Sequence, residues 1–321
     1  MNSDLIIKNL SVNYQTDDGL VYALDQVDLL IKEGSSHGLV GETGAGKTTL
    51  AKSVMRLLPE RTARVISGEV YYQGKDLLKE DMAAIRNIRG EQIAMVFQDP
   101  MTSLNPVLTV GEQIAEAIEV HGELSKSEVQ QKVGEILEMV GIPADRAEEY
   151  PHQFSGGMKQ RVVIAIALVC NPKVLIADEP TTALDVTIQA QVLETIKELR
   201  QKLNTSMLLI THDLGVVAQN CEHVSVMYAG EIVESASVKE IFSGMKHPYT
   251  KGLFNSIPKI NVNVTRLIPI SGLMPDPTQK PQGCKFADRC PQMMAICLKS
   301  KPELKEVSPE HHVRCYLYDS I

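Results

Sequence analysis

Eight consecutive residues, Gly41-Glu42-Thr43-Gly44-Ala45-Gly46-Lys47-Thr48, constrain this chain more than any other stretch. They fit the pattern G-x-x-x-x-G-K-[ST], with a strand-like segment at His37–Val40 before them and a helical pattern through Leu57 after them. Glycines let the backbone curl until successive N–H groups converge on one anion, and the N-terminus of the following helix adds partial positive charge. In a loop of this kind Lys47 reaches the β and γ phosphates of a nucleotide. The Thr48 hydroxyl ligates Mg²⁺, and Thr49 donates to the α phosphate. The order strand, loop, helix predicts an α/β fold.

A second stretch fits the same chemistry. Val174-Leu175-Ile176-Ala177 predicts a buried strand that ends in Asp178-Glu179. In open α/β sheets such strand ends lie where ligands bind. Asp178 is suited to hold Mg²⁺ through water. Glu179 is suited to orient and polarise an attacking water, because phosphoryl transfer is mostly positioning and charge stabilisation.

The rest of the chain alternates in the same way. Leu5–Val12 and the alternating Val27, Leu29 and Ile31 predict strands separated by a turn at Thr16–Gly19. Residues 65–97 give further strand patterns, with a turn at Tyr72–Lys75, a short helix near Met82–Ile88 and a strand at Ile93–Phe97. Ile114, Ala117 and Ile118, then Val133, Ile136, Leu137 and Val140, repeat at helical spacing, which predicts an inserted helical subdomain at about 109–170. A long helix at Ile188–Leu203, a strand at Met207–Ile210 and a hairpin turning at Ala229-Gly230 follow. Beyond about residue 258 the prolines Pro258, Pro269, Pro275, Pro277, Pro281 and Pro291 break every long element. The domain expectation is therefore 1–257 and a loop-rich tail, 258–321.

The formal net charge of −8 argues against a nucleic-acid binder. The longest apolar run, Val162–Cys170, falls short of the roughly 20 residues that a membrane-spanning helix needs. The N-terminal residues do not read as a signal peptide. Any action at a membrane is thus expected to pass through a partner.

Four of the six cysteines, Cys284, Cys290, Cys297 and Cys315, fall in the tail. Four thiolates in a small loop-rich module suit zinc or an iron–sulfur cluster. The absence of a C-x-x-C pair shifts weight toward the cluster, and metal would help such a module fold, with reduced, unliganded thiols as the third alternative. His311 and His312 could substitute as ligands but read as surface residues.

Phe154-Ser155-Gly156-Gly157-Met158-Lys159-Gln160-Arg161, ahead of Asp178-Glu179-Pro180, resembles the LSGGQ signature of ABC ATPases. Gln98 resembles the Q-loop glutamine, Ala183-Leu184-Asp185 the D-loop, and His212 the switch histidine. Tyr14 resembles the aromatic that stacks on adenine, with Tyr22 as its rival. Phe97-Gln98-Asp99-Pro100-Met101-Thr102-Ser103-Leu104-Asn105-Pro106, the HPYT element at His247–Thr250 and the cysteine tail are similar to the peptide and nickel importers of that family.

The resemblance implies a RecA-like P-loop core with an antiparallel β subdomain, the helical insert and a metal-binding extension. It implies ATP and Mg²⁺ as ligands, with Gln98 touching Mg²⁺, His212 contacting the γ phosphate, and Ser155, Gly156 and Gly157 closing on the γ phosphate held by a second subunit. It implies a 4Fe-4S cluster in the tail, with Zn²⁺ as the alternative. The implied partners are a second, homologous ATPase subunit packed head-to-tail, two transmembrane permeases and an extracytoplasmic peptide-binding protein, with this chain at the cytoplasmic face of the membrane. Nickel or another small solute as cargo, and a soluble ABC ATPase in DNA repair or translation, are the alternative functions.

Overall fold

The computed structural model describes residues 4–98, 103–122, 124–182, 184–256 and 270–319. The strands, in chain order, are β1 (Leu5–Thr16), β2 (Gly19–Ile31), β3 (Ser36–Val40), β4 (Ala63–Tyr72), β5 (Lys75–Asp76), β6 (Ile93–Val96), β7 (Val174–Asp178), β8 (Ser206–Thr211), β9 (His223–Tyr228), β10 (Glu231–Ser237), β11 (Lys305–Ser308) and β12 (His311–Val313). The helices are α1 (Lys47–Val54), α2 (Met82–Ile88), α3 (Val110–Glu119), α4 (Lys126–Met139), α5 (Gly156–Leu168), α6 (Val186–Leu203), α7 (Leu214–Asn220), α8 (Val238–Gly244) and α9 (Pro248–Asn255). The α/β expectation holds, and the turn between β1 and β2 falls within Thr16–Gly19.

The chain divides into two compact units. The first comprises Met1–Leu5, Ile31–Ser36 and Tyr71–Ile210. Its parallel strands run in the order β8-β7-β6, with Leu175 opposite Met207 and Ala94. All five residues of β7 are buried, which is why the strand reads as a continuous apolar run rather than an alternation. The helical insert lies in this unit. Its helices start on capping boxes, Thr109 with Glu112 and Ser125 with Glu128. Buried Gln113 of α3 accepts from Asn105 N and donates to the carbonyls of Asn105 and Leu108, which fixes the 105–108 loop.

The second unit comprises Ile6–Leu30, His37–Val70 and Thr211–Ile321. It holds the antiparallel strands β2-β1-β4 and a further sheet in the order β11-β12-β10-β9-β3. β3 pairs with β9 in parallel, and β9 returns to β10 through Ala229 and Gly230 at φ 45° and 82°, the two left-handed residues of a tight hairpin turn.

The tail packs within this second unit. β12 pairs with β10, Glu234 opposite Val313, so the last strands extend the sheet that carries the phosphate loop. Phe286, Tyr228 and Tyr249 pack ring against ring with centroids 4.5 to 5.4 Å apart. The expected boundary at 257/258 lies outside the described residues, as do Pro258 and Pro269.

Candidate functional site

The phosphate loop belongs to the second unit, between β3 and α1. Gly41 is required by close approach, since a Cβ there would stand 2.2 Å from the Met227 carbonyl oxygen. Gly46 sits at φ 105°, where a Cβ would also meet the Ala23 carbonyl at 2.7 Å. Gly44 and Ala45 complete the curl, with Ala45 N donating to the Glu42 carbonyl and Gly230 N donating to the Ala45 carbonyl. Lys47 is buried, and its ammonium folds back onto the carbonyls of Gly41 (2.7 Å) and Glu42 (3.1 Å). Thr43 is exposed, and Thr48 and Thr49 are half-buried in the first turn of α1.

The rival tyrosines separate. The Tyr14 hydroxyl lies 3.4 Å from Thr49 Oγ1, beside the loop. Tyr22 is engaged by the tail instead, its N–H on the Pro277 carbonyl and Lys280 over its ring. His212 follows β8, exposed, in this same unit. The next residue, Asp213, caps α7 through Gly215 N at 2.7 Å.

Asp178, Glu179, Gln98 and the signature residues belong to the first unit. Asp178 ends β7, almost fully buried. Glu179 leaves the strand at φ 47°, in the left-handed region that a non-glycine residue enters at a cost of about 1–2 kcal/mol. Strain of this kind gathers at functional positions. Its N–H donates to the Ile210 carbonyl. Its carboxylate accepts at Oε2 from Thr182 Oγ1 (3.0 Å) and from Gln98 Nε2 (3.2 Å). Two residues far apart in sequence and separately singled out are thereby in contact.

Ser155 caps α5 through Met158 N, and Ser155 and Gly156 are exposed at the helix start. Gly157 has no room for a side chain, since a Cβ would lie 2.4 Å from Ile188 Cγ2 on α6. Asp185 caps α6 through Ile188 N. Ala183 and Asp99–Thr102 lie outside the described residues.

In the tail, Cys284, Cys290, Cys297 and Cys315 line one cavity of about 10 Å³, together with Pro248, Phe286, Ala287, Met294, Pro302 and Leu317. That is room for roughly one water. Burial pushes the Cys284 thiol up to about 12, and raises those of Cys290 and Cys315. Among the described residues, no group of three or more His, Cys, Asp or Glu side chains is drawn together closely enough to hold a metal ion.

His311 is not a surface residue. It is buried, its Nε2 2.8 Å from Glu234 Oε1. Glu234 is fully buried and also accepts from the N–H groups of Lys246 and His247. A carboxylate with no access to water requires such donors.

Sequence reasoning missed these tail anchors. Lys280, Lys285 and Lys301 gather on the buried carboxylates of Asp25 and Glu231. Burial opposes ionisation of Asp25, but these ammonium groups hold its carboxyl well below the usual range. The HPYT element also gains a role. His247 Nδ1 accepts from Tyr249 N at the start of α9, and the Tyr249 hydroxyl accepts from Glu42 N in the phosphate loop. The only local signal for the anchors was a charge among core strand positions, as in Leu24-Asp25 and Val233-Glu234.

Residues 24–182 match the ABC transporter family model, and residues 233–297 match the model of the oligopeptide/dipeptide transporter C-terminal region. The chain is 48% identical over 321 residues to the dipeptide transport ATP-binding protein DppD of Bacillus subtilis, covering 99% of this chain and 96% of that one. It is likewise 48% identical to the oligopeptide transport ATP-binding protein AppD of the same organism, covering 99% and 98%. Among solved structures, an ATP-binding cassette captured as a post-hydrolysis dimer with ADP and Pi is 30% identical, with a TM-score of 0.65 over 73% of this chain and 98% of that one. The cassette cbiO1 of Clostridium perfringens, part of an ABC transporter complex, is 30% identical with a TM-score of 0.66 over 76% and 92%. With relatives at 48% identity matched along nearly their whole length, this protein belongs to the ABC transporter ATP-binding family, in the group that carries the oligopeptide/dipeptide transporter C-terminal region.

Proposed function

We propose that this chain is the ATP-hydrolysing subunit of an importer of di- or oligopeptides, acting at the cytoplasmic face of a membrane through permease partners. The observation that carries the cargo is the C-terminal region, matched over 233–297 and shared with peptide-transport relatives along almost the whole chain. Among the described residues no helix is long and apolar enough to cross a membrane, so translocation requires other subunits.

In this reading Tyr14 stacks on adenine, and Gly41, Thr43, Gly44, Ala45, Gly46, Lys47, Thr48 and Thr49 take the phosphates through backbone N–H groups, the Lys47 ammonium and the threonine hydroxyls. Thr48, Gln98 and Asp178 are the oxygen donors suited to Mg²⁺, which supplies charge neutralisation at the phosphates when bound. Glu179, held by Thr182 and Gln98, orients the water that attacks the γ phosphate, and His212 contacts that phosphate. Ser155, Gly156 and Gly157 serve the nucleotide of a second, homologous subunit. An extracytoplasmic peptide-binding protein delivers the solute.

Purified with its permeases in vesicles, the complex is expected to take up labelled dipeptide or short oligopeptide in an ATP-dependent manner. Uptake of nickel without peptide uptake would reassign the cargo and leave the ATPase reading in place.

The four cysteines fit a thiophilic group in kind, with four sulfurs around one enclosed, largely apolar space. Cys284, Cys290, Cys297 and Cys315 would hold a 4Fe-4S cluster or, alternatively, Zn²⁺, which would cross-link the tail segments. The sulfurs line one small space but are not drawn together closely enough to hold an ion, so loading either group requires these segments to rearrange. Anaerobically purified protein is expected to carry about four iron and four sulfide per protomer, or one zinc if the smaller group is the occupant. Protein without iron or zinc would refute the ligand assignment.

A further inference from the structure

The phosphate loop contains a carboxylate that its chemistry should not tolerate. Glu42 is the second residue of a loop whose glycines, ammonium and helix N-terminus serve to attract a polyanion. Its side chain is partly withdrawn from water, at 29% exposure. An unneutralised charge there would repel the phosphates through a medium that screens poorly.

The neutralising group comes from the tail. Arg289 Nη1 donates to Glu42 Oε2 at 2.9 Å, and Nη2 donates to Glu42 Oε1 at 3.1 Å, a two-pronged pair. The guanidinium is fixed on its other edges. Nε donates to the Ser271 carbonyl (3.0 Å), Nη2 also reaches the Ile270 carbonyl, and Nη1 reaches the Tyr228 hydroxyl (3.3 Å). Its side chain is only 6% exposed and lies over the rings of Tyr228 and Phe286. The Tyr249 hydroxyl accepts the Glu42 N–H at 3.0 Å, so both the backbone and the side chain of this loop residue are held from outside the loop.

The geometry points to Arg289 as a positioning residue for nucleotide binding, one that cancels the Glu42 charge and fixes the start of the phosphate loop from the C-terminal tail. The inference rests on the ATPase reading. It assigns to the tail a part in the nucleotide site that is distinct from any cargo or metal role. Arg289 acts through Glu42 and need not touch the nucleotide.

The sign of the effect separates this from simple anchoring. If Arg289 only holds the tail down, losing it is harmful whatever stands at position 42. If it cancels the charge, losing it is harmful only while Glu42 is present. In the full chain, Arg289→Met is expected to raise the ATP Kd and KM roughly tenfold, while kcat changes by less than about twofold. Glu42→Gln is expected to bind ATP at least as tightly as the wild type. The double variant Arg289→Met/Glu42→Gln is expected to regain most of the affinity, to within about threefold of the wild type. Arg289→Lys, which keeps the charge and loses the fork, should fall between.

Unchanged ATP affinity in Arg289→Met would overturn the inference. So would a double variant as weak as the single one. If Arg289→Met does not fold, the same comparison is made with Arg289→Lys, alone and combined with Glu42→Gln. Lys305→Met, which breaks only an exposed tail pair with Asp319, serves as the control. A wild-type chain that does not bind ATP at all would fail the ATPase reading itself, an outcome separate from all of these.

Discussion

Glu179→Gln is expected to slow ATP turnover by roughly a thousandfold, while ATP affinity stays within about threefold of the wild type. The carboxylate sits on a residue forced to φ 47°, tied through its N–H to the Ile210 carbonyl and through Oε2 to Thr182 and Gln98. Those bonds fix where the carboxylate points. An amide of the same shape keeps an oxygen for Thr182 and Gln98, so the position survives while the base is lost. Steady-state phosphate release paired with an equilibrium ATP-binding measurement separates the two. Turnover near the wild-type rate would remove Glu179 from the catalytic assignment. Loss of binding together with turnover would mean that the residue holds the fold rather than the water.

The second large effect is structural. Glu234→Leu should lower the stability of the chain by roughly 3–5 kcal/mol, read as a shift of the denaturation midpoint. The carboxylate is fully buried, and it serves Lys246 N, His247 N and His311 together. Leucine fills the volume but leaves those donors without an acceptor. Glu234→Gln keeps part of the acceptor set and should cost less than half as much.

The pH dependence follows in sign. Burial opposes ionisation of Glu234, but His311 and the two backbone N–H groups outweigh it and hold its carboxyl below the ordinary value. A depressed carboxyl stabilises the fold above its unfolded pKa, near 4.5, and that stability is lost as pH falls through the folded value. Glu234→Gln should flatten the acid limb of the stability curve. An unchanged limb would show that other carboxylates carry it.

What could be read from the sequence was what is local. The phosphate loop, the strand ending in Asp178-Glu179, the helical spacing of the insert and the hairpin at Ala229-Gly230 are each local patterns. Each is set by backbone geometry that only certain residues permit. The contacts that fix the second unit are of another kind. Asp25 meets Lys280, Lys285 and Lys301, and Glu42 meets Arg289, across more than two hundred residues. No local pattern announces such pairs, because any solvated lysine or arginine reads the same. His311 read as a surface residue for this reason, its partner Glu234 lying 77 residues away. The HPYT element was visible as a resemblance, but its part in holding Glu42 depends on a fold that brings α9 to the phosphate loop.

The distance in sequence between Glu42 and Arg289 has a consequence for how the protein is made. The phosphate loop emerges early in synthesis, and its counter-charge, with the lysines that satisfy Asp25, arrives only as the tail is completed. Until then the buried carboxylates have no partners, and contacts of such long separation form late. An incomplete chain therefore holds the nucleotide motif without the tail contacts that finish it. If Arg289 cancels the Glu42 charge as proposed, a chain released before the tail is made is expected to hold ATP more weakly than the complete one.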